Sequence, residues 1–268
     1  MKTLFAVGLL LACSAPVLAE ETDRRDFAGG ILTISENSDG EKVLAFDGRQ
    51  LAAGYFLVFE QEAMVEEQAV LLYAAGDGGN ACGPASVIVW KPTDKPVEAV
   101  SIGEDCGAPS PAVSSERIVY LPYVLPGSSE PVETWSPSAG LVLAGRLDFA
   151  PEPGTGWADL ENKPVGHPMD YFSNAAFYKQ AQALLGEDLG VVAQALSVSS
   201  EPEADGGLQI ARGCVPHACT VSDGFVAVDV KARAMWFAQM RGSSFAHWPK
   251  LAEWPKPVRA AFDAAFAE

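Results

Sequence analysis

The chain is poor in histidine and in basic residues. It has 3 histidines, and its 18 lysines and arginines face 35 aspartates and glutamates, for a formal net charge of −17 over 268 residues. A chain this acidic does not bind nucleic acid or anionic lipid through general electrostatics, because both are negatively charged. The charge favours a basic protein partner, or serves only solubility.

Signatures of the common enzyme classes are also missing. The sequence has no Gly-x-Ser-x-Gly elbow, no phosphate-binding P-loop and no His-Glu-x-x-His zinc motif. His167 lies in a stretch rich in proline and glycine, where we expect it to face solvent, and His247 adjoins Trp248, where packing explains it better than catalysis. We therefore predict that the protein is not an enzyme and has no catalytic residue, metal site or cofactor.

Long apolar runs are absent, so no segment predicts a membrane-spanning helix. The short run at residues 4–11 follows Lys2 and precedes a small-residue site at residues 17–19, a pattern typical of a cleaved signal peptide. We assign residues 1–19 to this signal and expect a periplasmic protein. An alternative is lipidation of Cys13, which ends a lipobox-like sequence, but the short apolar run and the good cleavage site favour the soluble form.

Cysteine is scarce too, with 5 in the whole chain. Cleavage of the signal would leave an even number, which indicates two disulfides in an oxidising compartment. Four cysteines allow three connectivities. The order along the chain favours local pairing, Cys82 with Cys106 and Cys214 with Cys219, because each pair falls within one half of the sequence.

Changes in composition predict two domains. Residues 20–150 contain short apolar runs separated by glycine and proline turns, which predicts an all-β domain, either a sandwich or a curled antiparallel sheet. Residues 151–169 are dense in proline and glycine, which argues against regular structure and predicts a linker. Residues 170–268 predict an α+β domain, in which helices flank an antiparallel sheet.

Two helices are expected in this C-terminal domain. One covers about residues 174–185 and has Ser173 as its N-cap. The other begins near Pro257, since proline suits the first turn of a helix. The strand candidates lie between these two helices, on either side of a short segment that has cysteine at both ends.

That segment is the most specific feature of the sequence. A disulfide would close it at a modest entropic gain of about 2 kcal/mol, so its better use is to hold the loop in one shape. Proline restricts the backbone further, and the histidine can both donate and accept hydrogen bonds. The loop consists of Cys214, Val215, Pro216, His217, Ala218 and Cys219.

Three other interpretations fit the same residues. The Cys-x2-His-x-Cys pattern could bind a metal ion, although it offers three ligands at cramped spacing in an oxidising compartment. A redox disulfide is less favoured, because it would be expected to have Cys-x-x-Cys spacing and a βαβ context. The plainest alternative is a disulfide-locked turn whose His217 only faces water.

The segment and its surroundings resemble the inhibitor of vertebrate lysozyme (Ivy) family. The resemblance rests on the Cys-x-Pro-His-x-Cys loop, on the tryptophan-containing hairpin at residues 225–240 and on Asn-Ala-Ala-Phe at residues 174–177, and it covers about residues 170–268. It implies that the loop protrudes and plugs the cleft of a c-type lysozyme, with His217 reaching the two catalytic carboxylates. Lysozymes of this type are basic, which suits an acidic inhibitor.

Two loop positions depart from the family pattern. The family usually has lysine after the first cysteine and aspartate before the second, whereas this chain has Val215 and Ala218. The missing carboxylate removes one contact with the enzyme. The sequence therefore predicts an exported inhibitor of c-type lysozyme. The alternative is a non-inhibitory periplasmic envelope protein in which the lysozyme-inhibitor-like domain binds another partner, or in which the N-terminal β domain carries the function.

Overall fold

The computed structural model describes residues 21–78, 83–103, 109–162 and 165–267. The predicted signal peptide, Cys13 and the predicted Cys82–Cys106 pair lie outside these residues. Within the described part of the chain, no helix is long and apolar enough to cross a membrane. The chain divides into two compact units, Met1–Met64 with Gln68–Asp105 and Val65–Glu67 with Cys106–Glu268.

The first unit is a β-sandwich. Its strands are Glu21–Phe27 (β1), Gly30–Glu36 (β2), Lys42–Phe46 (β3), Arg49–Gly54 (β4), Phe56–Val65 (β5, whose last residue belongs to the second unit), Gln68–Gly76 (β6), Ala85–Trp90 (β7) and Glu98–Ile102 (β8). They form two four-stranded sheets, ordered β1-β2-β3-β4 and β5-β6-β7-β8. Leu44 of one sheet and Leu71 and Val89 of the other share one core, because alternate side chains of each strand face inward.

A third sheet lies in the second unit. Its strands are Pro111–Val113 (β9), Ile118–Tyr120 (β10), Ser129–Ser136 (β11) and Gly140–Asp148 (β12). They pair antiparallel in the order β12-β11-β10-β9. The expected all-β character of the N-terminal region is therefore confirmed in outline.

The stretch predicted as a linker contains regular structure. A short helix covers Trp157–Asn162 (α1), and a 3-10 helix covers Pro168–Ser173. Trp157 and Leu160 are buried in the core of the second unit. Proline is compatible with this arrangement, because Pro168 occupies the first helical turn, where its missing N–H has no partner to lose. The proposed domain boundary at residues 151–169 stays a prediction.

The C-terminal part has helices on both faces of an antiparallel sheet, as expected for an α+β domain. The helices are Ala175–Leu185 (α2), Leu189–Gln194 (α3) and Lys256–Ala265 (α4), with 3-10 turns at Gly186–Asp188 and Leu251–Glu253. The strands are Val198–Ser199 (β13), Glu203–Asp205 (β14), Leu208–Cys214 (β15), Asp223–Asp229 (β16), Ala234–Arg241 (β17) and Ser244–Trp248 (β18). The order is β13-β15-β16-β17-β18, and β14 also pairs with β15.

Strand β16 lies at the centre of this domain. Val226 and Val228 pack into the core that contains α2 and α3. Phe225 and Ala227 face the opposite way, into an aromatic core that contains Trp254 and α4. The strand is therefore buried on both faces, which holds its first residues, next to the cysteine loop, on a rigid support.

The N-cap of α2 is one residue later than predicted. Asn174, not Ser173, caps the helix, because its side-chain Oδ1 accepts a hydrogen bond from the backbone N–H of Phe177 at 3.0 Å. The Asn174 amide also donates to the carbonyl of Gly156 at 2.7 Å. This second hydrogen bond joins residues that are 18 positions apart, so it could not be predicted from local sequence.

Candidate functional site

The cysteine loop connects two neighbouring central strands. Strand β15 ends at Cys214 and β16 begins at Asp223, and these two residues are partners in the antiparallel ladder. A disulfide joins Cys214 to Cys219, with their Cα atoms 4.9 Å apart. Cys214 is buried and Cys219 is exposed. The predicted pairing of these two cysteines is present in the structure.

The tip of the loop is a tight turn. The backbone N–H of Ala218 donates to the carbonyl of Val215 at 3.0 Å. Pro216 occupies the second position, whose φ suits proline, and His217 occupies the third position with a φ of 62°. These are the features of a type II turn. Histidine is among the residues that enter this left-handed region more readily than most.

The turn presents the histidine to solvent. His217 and Pro216 are exposed, whereas Val215 and Ala218 are half-buried. Since both cysteines are joined in the disulfide, neither supplies a thiolate for a metal ion. Among the residues that the structure describes, no group of three or more His, Cys, Asp or Glu side chains could hold a metal ion. The loop therefore presents the His217 imidazole at its exposed tip.

A buried carboxylate lies at the base of the loop. Asp223 accepts a hydrogen bond from the backbone N–H of Thr220 at 2.6 Å through Oδ1, and one from the guanidinium of Arg212 at 2.9 Å through Oδ2. Sequence reasoning missed this pair. Its signal is the strand register: Arg212 pairs with Phe225, so Asp223 is its diagonal neighbour.

Two glycines bring the loop base close to the backbone after α3. Gly213 and Gly224 are partners in the ladder between β15 and β16. A Cβ atom on Gly224 would lie 2.5 Å from the carbonyl oxygen of Ala195, and one on Gly213 would lie 2.8 Å from the Cα of Leu196. Only residues without a side chain allow this approach.

The two remaining histidines lie away from the loop. The His247 ring is 5.3 Å, centroid to centroid, from the rings of both Trp254 and Phe262, which confirms the expected packing role. The expectation that His167 only faces solvent is wrong. It is half-buried, and its Nδ1 accepts a hydrogen bond from the backbone N–H of Met169 at 3.2 Å, capping the 3-10 helix Pro168–Ser173.

The burial of His247 predicts that the stability of the fold depends on pH. Burial lowers the pKa of His247, and its buried Nε2 has no hydrogen-bond partner among the described residues. Below about pH 6.5 the unfolded chain therefore takes up a proton that the folded chain resists, and the free energy of unfolding falls until the folded pKa is passed. We expect the urea midpoint of unfolding to decrease from about pH 7.5 to 5.5, and His247→Phe to reduce that decrease.

The control for this experiment is Phe245→Leu. Phe245 packs against the His247 ring, with centroids 6.4 Å apart, but does not titrate. This variant should lose similar stability at both pH values and so keep the decrease. A decrease of the same size in His247→Phe would show that other groups cause it.

Comparison with known proteins divides the chain in two. A family model described as the Y4bG N-terminal domain matches residues 28–148, and the model for the inhibitor of vertebrate lysozyme (Ivy) matches residues 176–268. The resemblance of the C-terminal region to the lysozyme-inhibitor family is therefore confirmed. No solved structure matches the chain significantly.

One relative matches nearly the whole chain. The chain is 27% identical over 265 residues to a Sinorhizobium fredii protein titled uncharacterized protein y4bG, and the match covers 94% of each chain. The two chains are therefore similar along nearly their whole length.

Proposed function

We propose that the protein is an exported inhibitor of c-type lysozyme that occludes the enzyme's active-site cleft with the loop from Cys214 to Cys219. The observation that supports this proposal is the exposure of His217 at the tip of a disulfide-closed turn. The turn belongs to a domain that is similar to the lysozyme-inhibitor family. A periplasmic location follows from the same proposal, because peptidoglycan lies there.

The chemistry of the target suits an imidazole. A retaining glycosidase such as lysozyme has two carboxyl groups about 5–5.5 Å apart on either side of the scissile bond. The two ring nitrogens of His217 point in different directions, so one ring can hydrogen-bond to both groups. A protonated ring would gain charge assistance from the ionised carboxylate. The closed turn limits the conformational entropy lost on binding.

Long-range attraction supports the same partner. The formal net charge of −17 would draw the protein toward a basic enzyme. Such attraction raises the association rate and weakens with added salt. Such attraction brings the protein to basic proteins in general. We assign the specificity for lysozyme to the loop.

The proposal is tested by titrating the purified protein against hen egg-white lysozyme in a cell-wall lysis assay. We expect inhibition at micromolar concentration or below. A chito-oligosaccharide that fills the cleft should compete with binding in calorimetry. Absence of inhibition at micromolar concentration would contradict the proposal, and binding that the oligosaccharide does not affect would show charge attraction without cleft occlusion.

The uncharged flanks of the turn favour a second candidate. Val215 and Ala218 are half-buried and carry no charge, so His217 is the only ionisable side chain between the two cysteines. This loop also fits a partner that does not offer the paired carboxylates of lysozyme. We therefore propose, as the alternative that a negative lysis assay would favour, a non-inhibitory envelope protein that binds another partner through this domain.

A further inference from the structure

We propose that Arg212 and Asp223 are positioning residues that orient the loop and couple its shape to the end of helix α4. The effect on inhibition rests on the proposed function above. The effect on loop order does not, so the two can fail separately.

Asp223 contacts the residue that directly follows the loop. Its side chain is only 3% exposed. It accepts the backbone N–H of Thr220 at 2.6 Å, and Thr220 follows directly after Cys219. Thr220 has a φ of 72°, which is unfavourable for a β-branched residue. A charge-assisted hydrogen bond from this N–H therefore stabilises a backbone conformation that the chain would otherwise avoid.

Arg212 contacts both Asp223 and helix α4. One guanidinium nitrogen binds Asp223 at 2.9 Å, and the other donates to the carbonyl of Ala265, the last residue of α4, at 3.0 Å. The guanidinium carbon lies 4.8 Å from the centre of the Phe266 ring. The carboxyl end of a helix carries partial negative charge, so a cation is favoured at this point. Arg212 therefore bridges the end of α4 and the base of the loop.

The disulfide alone does not fix the orientation of the loop. The disulfide closes the loop from Cys214 to Cys219, but it does not set how the loop is oriented relative to the sheet. The orientation of the loop depends on the residues that connect it to β16. Ser222 forms two backbone hydrogen bonds with the loop. Its N–H donates to the carbonyl of Ala218 at 2.8 Å, and its carbonyl accepts from the N–H of Val215 at 3.1 Å. Asp223 adds the side-chain contact to Thr220, and Arg212 compensates the buried charge of Asp223, which would otherwise be costly.

The chain offers a matched control for this pair. Arg241 is 47% exposed, against 49% for Arg212, and it also forms an ion pair, with Asp188 at 2.5 Å. It too stacks on an aromatic ring, 5.2 Å from the centre of Trp248. This pair joins β17 to the turn before α3 and does not contact the loop. Replacing Arg241 therefore shows the general effect of losing a partly exposed, ion-paired arginine.

The experiment compares Arg212→Gln with Arg241→Gln in the full exported protein. The readouts are the hydrogen-exchange rate of the Thr220 amide by NMR and the inhibition constant against hen egg-white lysozyme. We expect Arg212→Gln to raise the exchange rate and to weaken inhibition, each about tenfold. Without Arg212 the buried charge of Asp223 is not compensated, so the carboxylate is held less firmly as the acceptor for the Thr220 N–H. Arg241→Gln should leave both close to wild type, and Arg212→Lys should lie between, since it keeps the charge but not the two-armed geometry.

A second variant covers the case in which Arg212→Gln does not fold. Phe266→Ala removes the ring beneath the guanidinium and leaves Asp223 intact, so it should also speed Thr220 exchange, by a smaller factor. Unchanged Thr220 exchange in Arg212→Gln, or in Phe266→Ala where Arg212→Gln does not fold, would overturn the proposal, and so would equal effects from Arg241→Gln. If exchange rises but the wild-type protein does not inhibit lysozyme, the positioning role stands and the proposed function fails.

Discussion

Replacing His217 with alanine is expected to weaken inhibition of c-type lysozyme about a hundredfold, which corresponds to about 2.7 kcal/mol. The imidazole is the group proposed to enter the cleft, and alanine leaves the target carboxylates without a partner. The melting temperature should change little, because the side chain is exposed. The measurements are the inhibition constant in the lysis assay and thermal unfolding of the variant.

A glycine variant distinguishes the contribution of the imidazole from that of the turn conformation. His217→Gly also removes the ring, but it relaxes the left-handed backbone at this position, where φ is 62°. We expect both variants to lose inhibition to a similar extent. Wild-type inhibition by both variants would show that the loop is not the plug, whereas loss only in the glycine variant would assign the effect to the order of the turn and not to the imidazole.

Gly224→Ala should destabilise the C-terminal domain by about 3 kcal/mol. The added methyl group would lie 2.5 Å from the carbonyl oxygen of Ala195, and that contact is with backbone, which cannot rotate away. Either β16 or the segment after α3 must move. The measurement is the free energy of unfolding from urea titration, monitored by tryptophan fluorescence.

Gly145→Ala is the matched control for this substitution. Gly145 also lies in a strand, β12, but an added methyl group there would meet no atom within 4 Å. Its effect should stay within about 1 kcal/mol, in either direction. Equal unfolding free energies for the two variants would contradict the close approach of β16 to the backbone of Ala195.

The tip of the loop was largely predictable from sequence because its determinants are local. Two cysteines five positions apart, with proline and histidine between them, already limit the geometry of the turn. The antiparallel strands around it also followed from local patterns of apolar residues and turns. The role of His217 stays a prediction, since it depends on a partner.

The base of the loop was not predictable, because its contacts depend on register and tertiary packing. Arg212 and Asp223 meet only once β15 and β16 pair as they do, and Ala265 reaches Arg212 only after α4 packs on the sheet. The helix Trp157–Asn162 was missed for a related reason. The surrounding prolines and glycines indicated loops, while burial of the apolar side chains stabilises a short helix between them.

The left-handed backbone at position 217 limits which sequences this site can accept as it evolves. Glycine, asparagine and aspartate share with histidine a tolerance for such a φ, whereas β-branched residues are strained there by about 1–2 kcal/mol. The turn conformation therefore restricts which substitutions are tolerated at position 217, independently of any binding partner. A descendant that loses the histidine can keep the loop through only a few replacements, of which glycine would present no side chain at all.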